Sequence, residues 1–192
     1  MLEQGVQRAF VVLPVLGRDA LGLEACLEDL VAAADEASAG GIPTTIVLAA
    51  APGADLDPVL ASWRPLVALV DGVDLLPVAV PAGADEGQAL QRGAAEAAAR
   101  CTTPPGTLLL TTRADVAVGP DWICEHARHH RAGARASTGP VRGGAAVHPL
   151  TANLAVRMDA YLAGGLRRTS WPLLHAVTPV VGPLRISLPT QS

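Results

Sequence analysis

The sequence predicts an α/β fold of three layers, with a mostly parallel central sheet and helices on both faces. Short runs rich in Val, Leu, Ile and Thr recur at Phe10 to Leu16, Thr44 to Ala50, near Leu75 to Val80, and Leu108 to Thr112. These runs are apolar along most of their length rather than strictly alternating, which is the pattern of strands covered on both faces. Between them lie stretches with apolar or small residues at helical spacing. Strand and helix therefore alternate as far as Ala132, and that alternation implies βαβ crossovers and parallel pairing.

The elements follow in order. FVVLPVL (Phe10 to Leu16) is the first strand, ended by Gly17-Arg18-Asp19, where Asp19 is placed to cap a helix from Ala20. Leu23, Leu27, Leu30, Val31 and Ala34 form its core-facing stripe, and Gly40-Gly41 stops it. TTIVLAA (Thr44 to Ala50) is the second strand, and Pro52-Gly53 turns the chain. A helix is expected over Asp57 to Val70, kinked or shortened by Pro65. Pro77 demotes the third strand, near Leu75 to Val80, towards a sheet edge or a bulged position. Asp85 to Arg100, rich in Ala, Gln and Glu, is the clearest helix. The Leu108 strand comes next, then a helix to about Ala132 with Pro120 in its first turn and Asp121 near its positive end. Arg135 to Val141 reads as a strand and Gly143-Gly144 as a turn. Thr151-Ala152-Asn153 opens a helix to about Ala163, with Asn153 as its cap. From Leu166 the tail holds Pro172, Pro179, Pro183 and Pro189 and should be mostly extended or irregular.

The chain of 192 residues fits one domain, since domains typically run to about 100–200 residues. Its net charge is −4 with no Lys/Arg block, and only 3% of residues are aromatic. Neither a basic stripe nor a base-stacking platform is available, so no nucleic-acid partner is expected. MLEQGVQRAF carries an acid and lacks the basic-then-apolar pattern of a signal peptide. No run approaches the roughly 18–20 apolar residues that span a bilayer. Cys26, Cys101 and Cys124 are odd in number and show no CxxC pairing, as for reduced thiols of a cytoplasmic protein.

The stretch LLLTTRADVAVGPDW, Leu108 to Trp122, organises the rest. Ligands of open α/β sheets collect outside the carboxyl ends of strands. Arg113 and Asp115 stand at that point, either as a ligand contact or as an exposed ion pair of little energetic value. His126 and His130, four apart, share one face of the following helix, with Cys124, Glu125 and His129 nearby. A zinc site needs three or four ligands and no others are signalled. With Arg128 and Arg131 alongside, the stretch reads as a solvated face with cations near the helix's negative end.

Four segments in order resemble the family 2 glycosyltransferases. VVLPVLGRDALGLEACLEDL is similar to that family's opening strand and helix, and GQALQRGAAEAA to its middle helix, around Gln91, Arg92 and Gly93. TTRADVAVGPDWI is similar to its strand, Asp-x-Asp and Pro-Asp-Trp-Ile segment, and TANLAVRMDAYLAGG to its Asn-x-Ala-x-Arg, Tyr and Gly-Gly segment. The resemblance implies the nucleotide-diphospho-sugar transferase fold: a nucleotide-binding half over residues 1–132, an acceptor-side half over 133–165, and the tail beyond. It also implies a nucleotide-activated sugar as ligand, with Arg92, Asp115 and Asn153 as substrate contacts; Arg113 joins them by its position at the strand's carboxyl end.

The departures fall on the chemistry. Where the family keeps an acid for the nucleotide base, this chain reads Ala49-Ala50-Ala51. The first acid of the metal-binding pair is Arg113, and no Asp or Glu follows Asp159, so the family's carboxylate base is missing. A lone carboxylate makes a poor Mg²⁺ site, whereas a guanidinium can grip phosphate through its fork. His175, ten residues beyond Gly165, stands near where the base is kept. The expectation is therefore a metal-free, cofactor-free glycosyltransferase-like protein. The alternative is a catalytically degenerate member acting as a binding or protein-partner module.

Overall fold

A computed structural model describes residues 5–17, 20–139 and 153–164. The elements are β1 (Arg8–Val15), α1 (Ala20–Ala39), β2 (Thr44–Ala50), α2 (Leu56–Val67), β3 (Val73–Ala79) and α3 (Glu86–Arg100), then β4 (Thr107–Thr111), α4 (Trp122–Arg131), β5 (Ala136–Thr138), β6 (Leu154–Arg157) and α5 (Met158–Ala163). They build one sheet in the order β3-β2-β1-β4-β6-β5. The first four strands are parallel; β6 runs antiparallel to β4, and β5 antiparallel to β6.

Strand periodicity sends alternate side chains to opposite faces. Ala9, Val11, Leu13 and Val15 of β1 join α1, α2 and α4 in one core, while Phe10 and Val12 join α3 and α5 in the other. Val11, Ile46, Val78 and Leu109 are all buried in the sheet as the composition requires. The result is the three-layer α/β architecture.

Local chemistry explains several boundaries. Asp85 caps α3 in a reciprocal capping box: its Oδ1 accepts from the Gln88 N–H at 2.7 Å, and Gln88 Oε1 accepts from the Asp85 N–H at 2.9 Å. α2 ends at Val67, two residues past Pro65. β3 is a sheet edge, where Pro77 costs no ladder bond with an outer neighbour. Gly93 of α3 lets the helix lie against the sheet, since a Cβ there would collide with Val12 Cγ1.

Two expectations are corrected. Leu154 to Arg157 is a strand rather than the first turn of a helix, and Asn153 does not cap α5. Antiparallel pairing to both β4 and β5, with Leu154, Ala155 and Val156 buried, outweighs any local helical preference. Pro120 lies outside α4, which begins at Trp122 with Asp121 in the N-cap position and no side-chain cap bond. The Asp19 cap, the Gly143-Gly144 turn, His175 and the Pro-rich tail lie outside the described residues.

Candidate functional site

β1 and β4 are neighbours, but the chain leaves them in opposite directions along the sheet, from β1 through α1 to β2 and from β4 through α4 to β5. The carboxyl ends of β1 and β4 therefore flank a topological switch point, the place where an open α/β sheet forms its crevice. Thr111, Thr112 and Arg113 leave the sheet there.

Arg113 is gripped by two carboxylates. Nε and Nη2 donate to Asp115 Oδ1 and Oδ2 at 2.8 and 2.9 Å, a bidentate pair. Nη1 donates to Glu86 Oε2 at 3.0 Å, from the first turn of α3. The Arg113 carbonyl accepts a long contact of 3.5 Å from the Cys26 thiol. Burial, with help from Asp29 and Asp115, pushes that thiol up to about 12, so it packs rather than reacts. The hydrogen bond to Asp115 holds the Arg113 pKa above its ordinary value, with the charge of Glu86 adding to it. The same hydrogen bond draws the Asp115 carboxyl below the usual carboxylate range. Nearby, the hydroxyls of Thr111 and Thr112 and Glu86 Oε1 are buried with no hydrogen-bond partner among the described residues.

This donor set does not fit the divalent cation of the resembling family. Both Asp115 oxygens and Glu86 Oε2 already face a fixed positive charge. A metal would have to displace the guanidinium or sit against it.

Arg113 and Asp115 thus come together as the sequence suggests, with Glu86 added. Arg92 does not join them. It lines a separate groove of about 740 Å³ between the Pro81–Ala84 loop, α3 and α5, shared with Gln88 and Tyr161. A larger cleft, about 1010 Å³, opens over the carboxyl ends of β2 and β3, beside the Ala50-Ala51 stretch that lacks the family's acid. Glu24, Asp55 and Asp57 line it nonetheless, with Arg64. Asp55 sits at φ 45° in the left-handed region, which Asp tolerates better than most residues.

Asn153 belongs to a buried polar network beside a third groove of about 460 Å³. The Trp122 indole N–H, a donor only, gives to Asn153 Oδ1 at 2.7 Å. His126 Nε2 lies 2.9 Å from the same oxygen and must also donate, so its Nδ1 is the bare nitrogen. Ser137 Oγ, 2.6 Å away, donates to that Nδ1 and accepts from His130 Nε2 at 3.2 Å. Both imidazoles are buried, which corrects the expectation of a solvated histidine face: α4 turns this face onto β5 and Asn153. Burial lowers each histidine to about 4, so both are neutral near pH 7.

Glu86 and Ser137 are the residues that sequence reasoning missed. An acid opening a helix after a capping Asp is an ordinary first-turn signal, and only the β3-to-β4 crossover brings it to Arg113. Ser137 carries no local signal.

No family model matches the chain, and no curated protein matches it. Among solved structures, the chain is similar to the crystal structure of 4-diphosphocytidyl-2C-methyl-D-erythritol synthase from Anaerococcus prevotii. That likeness covers 84% of this chain and 80% of that one, at 13% identity and a TM-score of 0.45. A likeness of fold at that level does not carry chemistry with it. The resemblance to family 2 glycosyltransferases rests on the sequence motifs alone. No helix among the described residues is long and apolar enough to cross a membrane.

Proposed function

We propose that this chain binds a nucleotide-activated sugar, or a close analogue, across the carboxyl end of its sheet, with Arg113 supplying the positive charge and no metal required. The observation that carries this is a half-exposed guanidinium at the β1–β4 switch point, fixed in orientation by a bidentate carboxylate. Two of its five N–H groups have no partner among the described residues and remain for a phosphate oxygen. The Thr111 and Thr112 hydroxyls, at the same strand end, are buried without a partner among the described residues.

In this proposal the nucleoside lies towards the cleft over β2 and β3, where Asp55 or Asp57 takes the base-recognition role absent at Ala49 to Ala51. The acceptor lies on the Asn153 side, and Arg92 contacts substrate through the groove beside the Pro81–Ala84 loop. If the chain transfers sugar, Arg113 offsets charge growing on the leaving diphosphate, and His175 is the proposed base for the acceptor hydroxyl. The protein is proposed to act in the cytoplasm.

One observation favours the second reading, a catalytically degenerate binding or partner module. Arg113 faces two carboxylates, so the triad carries a net charge of −1 and the charge of the guanidinium is already compensated. Ligand-dependent melting against a panel of nucleoside diphosphates and nucleotide sugars, in EDTA and in Mn²⁺, separates the two. Ligand at about 100 times its Kd adds roughly 2.7 kcal/mol of stability. A rise in Tm with at least one ligand in EDTA supports the first reading, and flat curves across the panel support the second.

A further inference from the structure

The guanidinium of Arg113 has two edges that can grip an oxyanion in a fork. Asp115 occupies the side edge, Nε with Nη2, through both of its oxygens. The end edge, Nη1 with Nη2, is the one left for a ligand, and its Nη1 donates to Glu86 Oε2 at 3.0 Å. The two carboxylates are held very differently. Asp115 makes two parallel bonds from a position two residues away on the same loop. Glu86 makes one, and its other oxygen, Oε1, is buried without a partner among the described residues.

We infer that Glu86 is an internal stand-in for the ligand's phosphate, occupying the Arg113 end fork until a tetrahedral oxyanion displaces it. This rests on the proposed role of Arg113 as the phosphate contact. The side chains of Arg113 and Glu86 are 30% and 33% exposed, so an anion can reach the pair from solvent. A phosphate would replace a single-bonded carboxylate with a two-pronged contact, which guanidinium geometry favours. Glu86 has a way out, since it stands on the first turn of α3 and its departure breaks neither the Asp85–Gln88 capping box nor the Asp115 pair. The bound phosphate would also face the amino end of that helix, whose partial positive charge favours an anion. Asp115 is the positioning group and Glu86 the competitor, and their substitutions should act in opposite directions.

The test is calorimetric titration of the full chain with inorganic pyrophosphate in EDTA at low ionic strength, for wild type, Glu86→Gln, Glu86→Ala and Arg113→Ala. Parallel titrations with uridine diphosphate distinguish the phosphate contact from a nucleoside contribution. Both Glu86 variants should bind pyrophosphate at least tenfold more tightly than wild type, and Arg113→Ala should lose it. Binding by the Glu86 variants alone, with wild type silent, supports the inference equally. Wild-type binding that depends on Arg113 but is unchanged or weakened in both Glu86 variants overturns the inference and leaves the phosphate role of Arg113 standing. Absence of pyrophosphate binding in wild type and in Glu86 variants that melt cooperatively overturns both.

Discussion

Arg113 is the residue on which the functional proposal turns, and its surroundings set what each substitution should do. An exposed structural ion pair contributes under about 1 kcal/mol, whereas a charge-assisted hydrogen bond to a bound phosphate contributes roughly 1.5–3 kcal/mol. Arg113→Ala should therefore abolish detectable binding of a nucleoside diphosphate while changing unfolding free energy by less than about 1 kcal/mol. Arg113→Lys should recover only part, because a point charge cannot reproduce the fork. Asp115→Asn should weaken binding less, since it keeps one acceptor for the guanidinium and removes a charge that repels phosphate. Affinity and unfolding free energy measured together on the three variants check this; equal affinities across the series would mark the triad as structural. The Arg113–Asp115 pair was legible in the sequence because its two members are neighbours on one loop. Glu86 was not, because 27 residues and a crossover separate it from Arg113.

At the scale of elements, the sequence reading succeeded where the signal was local and failed where pairing decided. The apolar runs at β1, β2 and β4 and the Ala-, Gln- and Glu-rich run at α3 need no knowledge of neighbours to be recognised. β6 does, since Leu154 to Arg157 becomes a strand only by lying between β4 and β5. The histidine face of α4 failed for the same reason: polar side chains look solvated until Ser137 of β5 and Asn153, just before β6, pack against them. Close packing of α3 on β1 gives a prediction of its own. Gly93→Ala gains roughly 1 kcal/mol of helix propensity, but its Cβ would run into Val12. Overpacking of this kind costs about 1–3 kcal/mol, so the variant should be destabilised, and Gly93→Val more so, in urea unfolding. A stabilised Gly93→Ala would mean that α3 sits further from the sheet.

For the molecule as a whole, the buried histidines couple stability to pH. His126 and His130 fall to about 4 in the folded chain from an ordinary value of 6.5. The unfolded chain therefore binds more protons between those limits, and stability must fall as pH drops from about 6.5 towards 4. At about 1.36 kcal/mol per pKa unit, each histidine removes on the order of 3 kcal/mol across that window. Asp115 and Asp159, both held below their ordinary range by arginine hydrogen bonds, add a further loss only below about pH 4. Urea unfolding between pH 7.5 and 4.5 should show the histidine limb, and His130→Gln should flatten it. A pH-independent midpoint would contradict the buried, neutral network. The sheet order brings the Arg113 cation to the switch point, and the most direct measurement tests the proposal that it serves there without a metal. Calorimetric titration with the nucleotide sugar giving the largest rise in Tm should return the same Kd, within about threefold, in EDTA and in excess Mn²⁺, and no binding to Arg113→Ala. A loss of tenfold or more on chelation, about 1.4 kcal/mol, or undiminished affinity in Arg113→Ala, would contradict metal-free recognition by Arg113.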